Sequence, residues 1–213
     1  MSVRGGGLAV PELAAIEVHG MTRGAFLARA TLAAGAVYGV GAVAPFVRQA
    51  LAQEAVGDLA ILNFALTLEQ LEAKFYDEAK RSVSLGSEAG RLTEELATNE
   101  AEHVAALRSV IGDLGGRPVP EPVVDFGNAF DSQGSYLSLA QNFEDTGVAA
   151  YNGAGPMIES KEVLEAAGTI VQVEGRHAAL IRKVSGGVFA PKAFDDALSM
   201  SQVRQRVDPY LIE

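Results

Sequence analysis

Two glutamate–histidine pairs constrain this chain more than any other feature. Glu100 precedes His103 in T-N-E-A-E-H-V-A-A-L-R, and Glu174 precedes His177 in V-E-G-R-H. Residues three apart lie on one face of a helix, about one turn from each other. Each pair therefore presents a carboxylate and an imidazole in the same direction. The chain has three histidines, and the remaining one, His19, falls in the N-terminal extension ahead of the leader-like segment. A single E-x-x-H is a weak signal, because glutamate is common on helices. The stronger signal is what precedes each pair: a further glutamate with a tyrosine seven residues after it, Glu69 with Tyr76 and Glu144 with Tyr151. Glu69 to Glu100 spans 31 residues and Glu144 to Glu174 spans 30. The chain is thus a two-fold repeat of a Glu/Tyr helix and a Glu-x-x-His helix, offset by 75 and 74 residues.

One glutamate from each of two helices, with Glu-x-x-His from each of two others, is the donor set of a di-iron or di-manganese carboxylate bundle. Two divalent cations close together repel. Four carboxylates cancel their charge and make the cluster tolerable in an apolar interior. The candidate metal ligands are Glu69, Glu100, His103, Glu144, Glu174 and His177. Glu72, one turn after Glu69, reads either as a residue supporting that site or as part of a solvated face. Each ligating histidine needs a partner for its other ring nitrogen, and Glu72, Glu102 and Asp145 are candidates, although the helical period points Glu102 outward. The competing arrangement is a bundle whose buried Glu and His pair with one another and hold no metal.

Composition narrows the chemistry. Of 17 basic and 27 acidic residues, the first 52 positions hold four and two, leaving 13 and 25 and a net charge of −12 for the rest. An acidic body excludes a nucleic-acid binder built on basic patches. The chain has no cysteine, so disulfides, thiolate metal sites and iron–sulfur clusters are excluded. Oxygen and imidazole donors suit iron or manganese. With 213 residues, 48% of them hydrophobic, the length fits one globular domain with a tail.

Residues 1–20 are Gly-rich and unpatterned, and no structure is expected there. From Met21, which could itself be the start, T-R-G-A-F-L leads into a small-residue apolar run over Ala30–Val47, and Ala50-Leu51-Ala52 offers an A-x-A cleavage site. This is the layout of an export signal. It is similar to twin-arginine leaders, with Gly24 where the second arginine would stand. Residues 21–52 are therefore expected to be a signal peptide or a membrane anchor, which would be the only membrane contact of an exported protein.

Helical periodicity predicts a first helix over Gly57–Arg81, with Leu59, Leu62, Leu66, Leu71 and Phe75 inward and Asp58 as a cap or first-turn acid. A second is expected over Ser87–Leu114, its stripe including Leu92, Leu96, Ala106 and Leu107. A third runs over Ser132–Gly153, with Gly147 either permitting close helix approach or merely tolerated. A fourth runs from Ser160 to Ser185 and includes Val163, Leu164, Ile170 and Leu180. The Pro-rich stretch between the second and third helices is about twenty residues, long for a compact domain. It suits a crossover along the length of an up-down-down-up bundle. Residues 57–186 are the expected bundle. Residues 187–213 are an extension with a short helix over Ser199–Val207, packing on the bundle or serving a partner.

Three segments, L-N-F-A-L-T-L-E-Q-L-E-A-K-F-Y, P-V-P-E-P-V-V-D-F-G and E-D-T-G-V-A-A-Y, resemble the ferritin-like superfamily, in particular exported bacterial ferritin-like domain proteins related to plant desiccation-related proteins. The six-ligand pattern resembles the wider superfamily, including bacterioferritin, rubrerythrin and manganese catalase. The resemblance implies an all-α, ferritin-like four-helix bundle with two bound metal ions, iron or manganese. Glu100 and Glu174 would bridge the ions, each histidine would cap one, and Tyr76 and Tyr151 would hydrogen-bond the site. It implies redox chemistry on ferrous iron, dioxygen or peroxide, as a ferroxidase or an oxidative-stress protein. The alternatives are manganese-catalase-like peroxide disproportionation and a non-catalytic protective module. The sequence leaves a homo-oligomer open.

Overall fold

The computed structural model describes residues 57–212. The expectations for residues 1–20 and for the leader at 21–52 lie outside the described residues. Helix α1 is Asp58–Ser82 and α2 is Ser87–Asp113; α3 is Gln133–Ala154 and α4 is Lys161–Val184; α5 is Met200–Val207. All five start and stop within a residue or so of the positions that periodicity predicts. Among the described residues no helix is long and apolar enough to cross a membrane.

Helix starts are tied to one another, and those ties fix the direction of the bundle. The Asp58 carboxylate accepts from Glu159 N at 2.8 Å and Ser160 N at 2.7 Å, so α1 and α4 begin at the same end. Asp58 thus serves the start of α4, while its own helix has Gly57 at the N-cap without a side-chain bond. At the other end, Gln133 Oε1 accepts from Gly86 N at 2.7 Å, which brings the starts of α2 and α3 together. The order is up-down-down-up. The chain from 114 to 132 must therefore travel back along the bundle, about 37 Å for a 25-residue helix, well within the reach of its residues. It is held on the way, where Val119 N donates to Asn63 Oδ1 at 2.8 Å.

Helix α1 packs on α2 and on α3, and α4 packs on α3 and on α2. The interior has three zones along its length. Leu71, Phe75, Leu96, Tyr136, Phe143 and Ile181 belong to an apolar cluster at one end. Ile61, Leu66, Leu107, Ile111, Val163 and Ile170 belong to another. On α1, α2 and α4 the predicted ligands fall between these named residues of the two sets, and on α3 Glu144 falls between Phe143 of the first cluster and Tyr151 of the second. Each fully buried large apolar side chain contributes about 1.5–3 kcal/mol, so both ends of the bundle offset the cost of a polar middle. The stripes are narrower than the sequence suggests: Leu59, Leu164 and Leu180 are exposed, as is Ala106.

The C-terminal extension is part of this fold. Helix α5 begins with a capping box between Ser199 and Gln202 and buries Val203 and Val207. It packs on α3. Beyond it, β2 (Leu211–Ile212) pairs antiparallel with β1 (Val123–Val124) of the crossover. Tyr210 meets Phe143 edge-on, with ring centroids 5.1 Å apart. The extension thus straps the crossover to the bundle.

Candidate metal centre

Four helices each supply one turn to a single point. Glu69 and Glu72 come from α1, Glu100 and His103 from α2, Glu144 from α3, and Glu174 and His177 from α4. All seven are buried, and Glu100, Glu144 and Glu174 are fully inaccessible. Five carboxylates and two imidazoles in one interior are costly unless paired or bound to metal.

The donors form two overlapping sets. Glu69, Glu100, His103 and Glu174 place one ligand atom each within 4.8 Å of one another, and so do Glu100, Glu144, Glu174 and His177. Glu100 and Glu174 belong to both. The Nδ1 of His103 faces Glu100 Oε2 at 3.0 Å, Glu69 Oε2 at 3.1 Å and Glu174 Oε1 at 3.1 Å. One N–H cannot serve three carboxylates. On the other side, His177 Nδ1 lies 2.9 Å from Glu100 Oε1. That pair is close but not aligned for a hydrogen bond, and both atoms are without a partner, as are Glu144 Oε2 and both oxygens of Glu174. Buried oxygens that converge without bonding to each other are the arrangement a cation completes.

Around these donors lies a set of orienting bonds. Tyr76 Oη donates to Glu144 Oε1, and Tyr151 Oη donates to Glu69 Oε1 at 2.6 Å. Each tyrosine therefore holds the glutamate of the other half of the repeat. Burial, and then the adjoining Glu144 and Glu69 respectively, push both phenols well above their usual range, so they stay protonated donors. The outer nitrogen of His177 meets a residue that periodicity does not single out: Asn99 Nδ2 is 3.0 Å from Nε2. Of the three acceptors considered for this role, Glu102 is exposed, Asp145 is engaged by Arg182, and Glu72 points into the centre.

Six groups of the cluster hold their protons more tightly than free side chains do. Burial raises Glu69 to about 7, despite the opposing bond from His103. Burial also lifts Glu72, Glu144 and Glu174, and neighbouring carboxylates add to the shift. The imidazoles are disfavoured as cations by burial. The surrounding carboxylates outweigh this and hold His103 up to about 12 and His177 up to about 10.

Four helices in up-down-down-up order, a long crossover and a mid-length Glu/His cluster agree with the comparison to known families. Residues 57–187 match the ferritin-like domain. The chain belongs to the ferritin-like family. No curated protein matches it. The match runs from the start of α1 to just past α4, so the ferritin-like bundle contains all six candidate ligands together with Glu72, Tyr76 and Tyr151. The cluster is compatible with a dinuclear metal site. Asn99 was missed because an amide carries no metal-ligand signature and meets His177 only once α2 and α4 have packed.

Proposed function

We propose that this ferritin-like bundle holds two metal ions, iron or manganese, and oxidises ferrous iron with dioxygen or peroxide. The observation that carries the reading is the overlap of the two four-donor sets at Glu100 and Glu174. In each set three carboxylates and one imidazole surround a single point. Counted once, the six ligands bring four negative charges, which balance two divalent cations. Oxygen and imidazole donors suit iron and manganese.

Such a pair of ions, when bound, supplies a two-electron redox step to a small oxidant. The chain's own residues bind, orient and exclude water. Glu69 and Glu144 each close one side of the site, and Tyr151 and Tyr76 hold them from across the bundle. Asn99 orients His177. The apolar clusters at either end keep bulk water from the middle.

The test is ferrous-iron consumption under air by the full chain stripped of metal. Oxidation faster than buffer, lost in Glu100→Ala/Glu174→Ala, is the expected result. A rate equal to buffer contradicts the ferroxidase reading. Oxygen release from peroxide only after manganese loading would instead make the site catalase-like.

A further inference from the structure

The two-fold repeat breaks at one inward position. The 75-residue offset that carries Glu69 onto Glu144 and Tyr76 onto Tyr151 carries Glu72 onto Gly147. One half has a carboxylate there and the other has no side chain. The two positions meet inside the bundle. A Cβ placed on Gly147 would stand 3.0 Å from Glu174 Oε2 and 3.5 Å from Glu72 Oε1. The bare backbone of α3 is thus the space into which carboxylates from α1 and α4 project. Glycine in mid-helix costs about 1 kcal/mol against alanine, and here it makes room for Glu72.

Glu72 has no place in the six-ligand set. Its side chain is 3% exposed, and Oε2 has no hydrogen-bond partner. Glu69 and Glu144, by contrast, each accept a tyrosine hydroxyl. Glu72 Oε1 and Glu174 Oε2 both lie within 3.5 Å of the point where a Cβ on Gly147 would stand, so the Glu72 carboxylate reaches across from α1 to the backbone of α3 and the Glu174 side chain of α4.

We propose that Glu72 is a seventh donor, a fifth carboxylate that crosses from α1 to the metal position formed with Glu144 and His177, so that the two positions are unequal. The assignment rests on the two-metal reading above. Glu69 and Glu144 each serve one position and Glu100 and Glu174 serve both, so the six-ligand set alone would be symmetric. Glu72 adds a donor and a negative charge on one side only.

The experiment is a calorimetric titration of the metal-free full chain with manganous ion, alongside electron paramagnetic resonance of the loaded protein. Wild type is expected to bind two ions in two resolved steps. Glu72→Gln, which keeps the shape and removes the charge, should weaken one step about 10-fold or more and leave the other unchanged. Gly147→Ala, which crowds Glu72 and Glu174, should weaken that step too. Two ions bound by Glu72→Gln with wild-type affinity would overturn the assignment while leaving the two-metal reading intact, as would equal weakening of both steps. No manganese bound by wild type would overturn both. Should Glu72→Gln not fold by circular dichroism, Glu72→Asp, which retracts the carboxylate by one methylene, must show the same selective loss or the assignment fails.

Discussion

Tyr151 on α3 reaches across the bundle to place its hydroxyl 2.6 Å from Glu69 Oε1 on α1. Both groups are buried, and the bond ties together residues 82 apart in sequence. Tyr151→Phe removes the donor and leaves a buried carboxylate oxygen bare. The expected cost is about 1–3 kcal/mol, read by guanidinium unfolding of the metal-free protein. Unchanged stability would mean that the hydroxyl does not support Glu69.

For the metal-free protein, the acid–base state of these groups sets a pH trend. Glu69 titrates near 7 in the folded protein against 4.5 for a free carboxyl, and His177 and His103 near 10 and 12 against 6.5. In each case the native state holds the proton more tightly than the unfolded chain. The stabilisation is complete below the unfolded value and is lost as pH rises through the folded one. In chelator, unfolding free energy should therefore fall as pH rises from 4.5 through 7, and further through the histidine range. Metal binding displaces these protons, so it should tighten over the same interval. Stability of the metal-free protein that rises between those values would contradict this electrostatic picture.

Asn99 is a positioning residue for His177, because its amide lies 3.0 Å from Nε2. Asn99→Ala should lower affinity for one of two metal ions about 10- to 100-fold without unfolding the chain. Equal affinity in Asn99→Ala would show that His177 is held by packing alone.

The C-terminal strap rests on a close approach. A Cβ on Gly153 would fall 1.9 Å from Leu198 O, beside the bond from Leu198 N to Ala149 O at 2.9 Å. Gly153→Ala must displace that segment and should destabilise the protein by roughly 1–3 kcal/mol. Its metal content should match wild type, because Gly153 lies two turns beyond Gly147. Loss of metal in this variant would instead couple the strap to the site.

Much of this was legible in the sequence because ligands on helices obey the helical period. The 75- and 74-residue offsets select Glu69, Glu100, His103, Glu144, Glu174 and His177, and the structure brings all six together. The acidic, cysteine-free composition restricts the donors to oxygen and nitrogen. Features that depend on which helices become neighbours were not legible. The exchange of tyrosines between halves, the contact of Asn99 with His177 and the meeting of Glu72 with Gly147 all need the packed bundle. Periodicity also places residues at the edge of a stripe on the wrong side, as with Leu59, Ala106, Leu164 and Leu180. It cannot show that residues 188–212 close over the crossover, because that depends on a two-residue strand pair and a few aromatic contacts.

Metal content of the full chain, purified without added metal and measured by mass spectrometry beside Glu100→Ala/Glu174→Ala, tests the central claim most directly. The two shared carboxylates occur in both donor sets, so removing them should empty the whole site. The expected result is two iron or manganese ions per wild-type chain and none in the double variant. A wild type free of metal that also fails to take up added iron or manganese, with a double variant of equal stability, would contradict the account and leave the cluster a buried polar network.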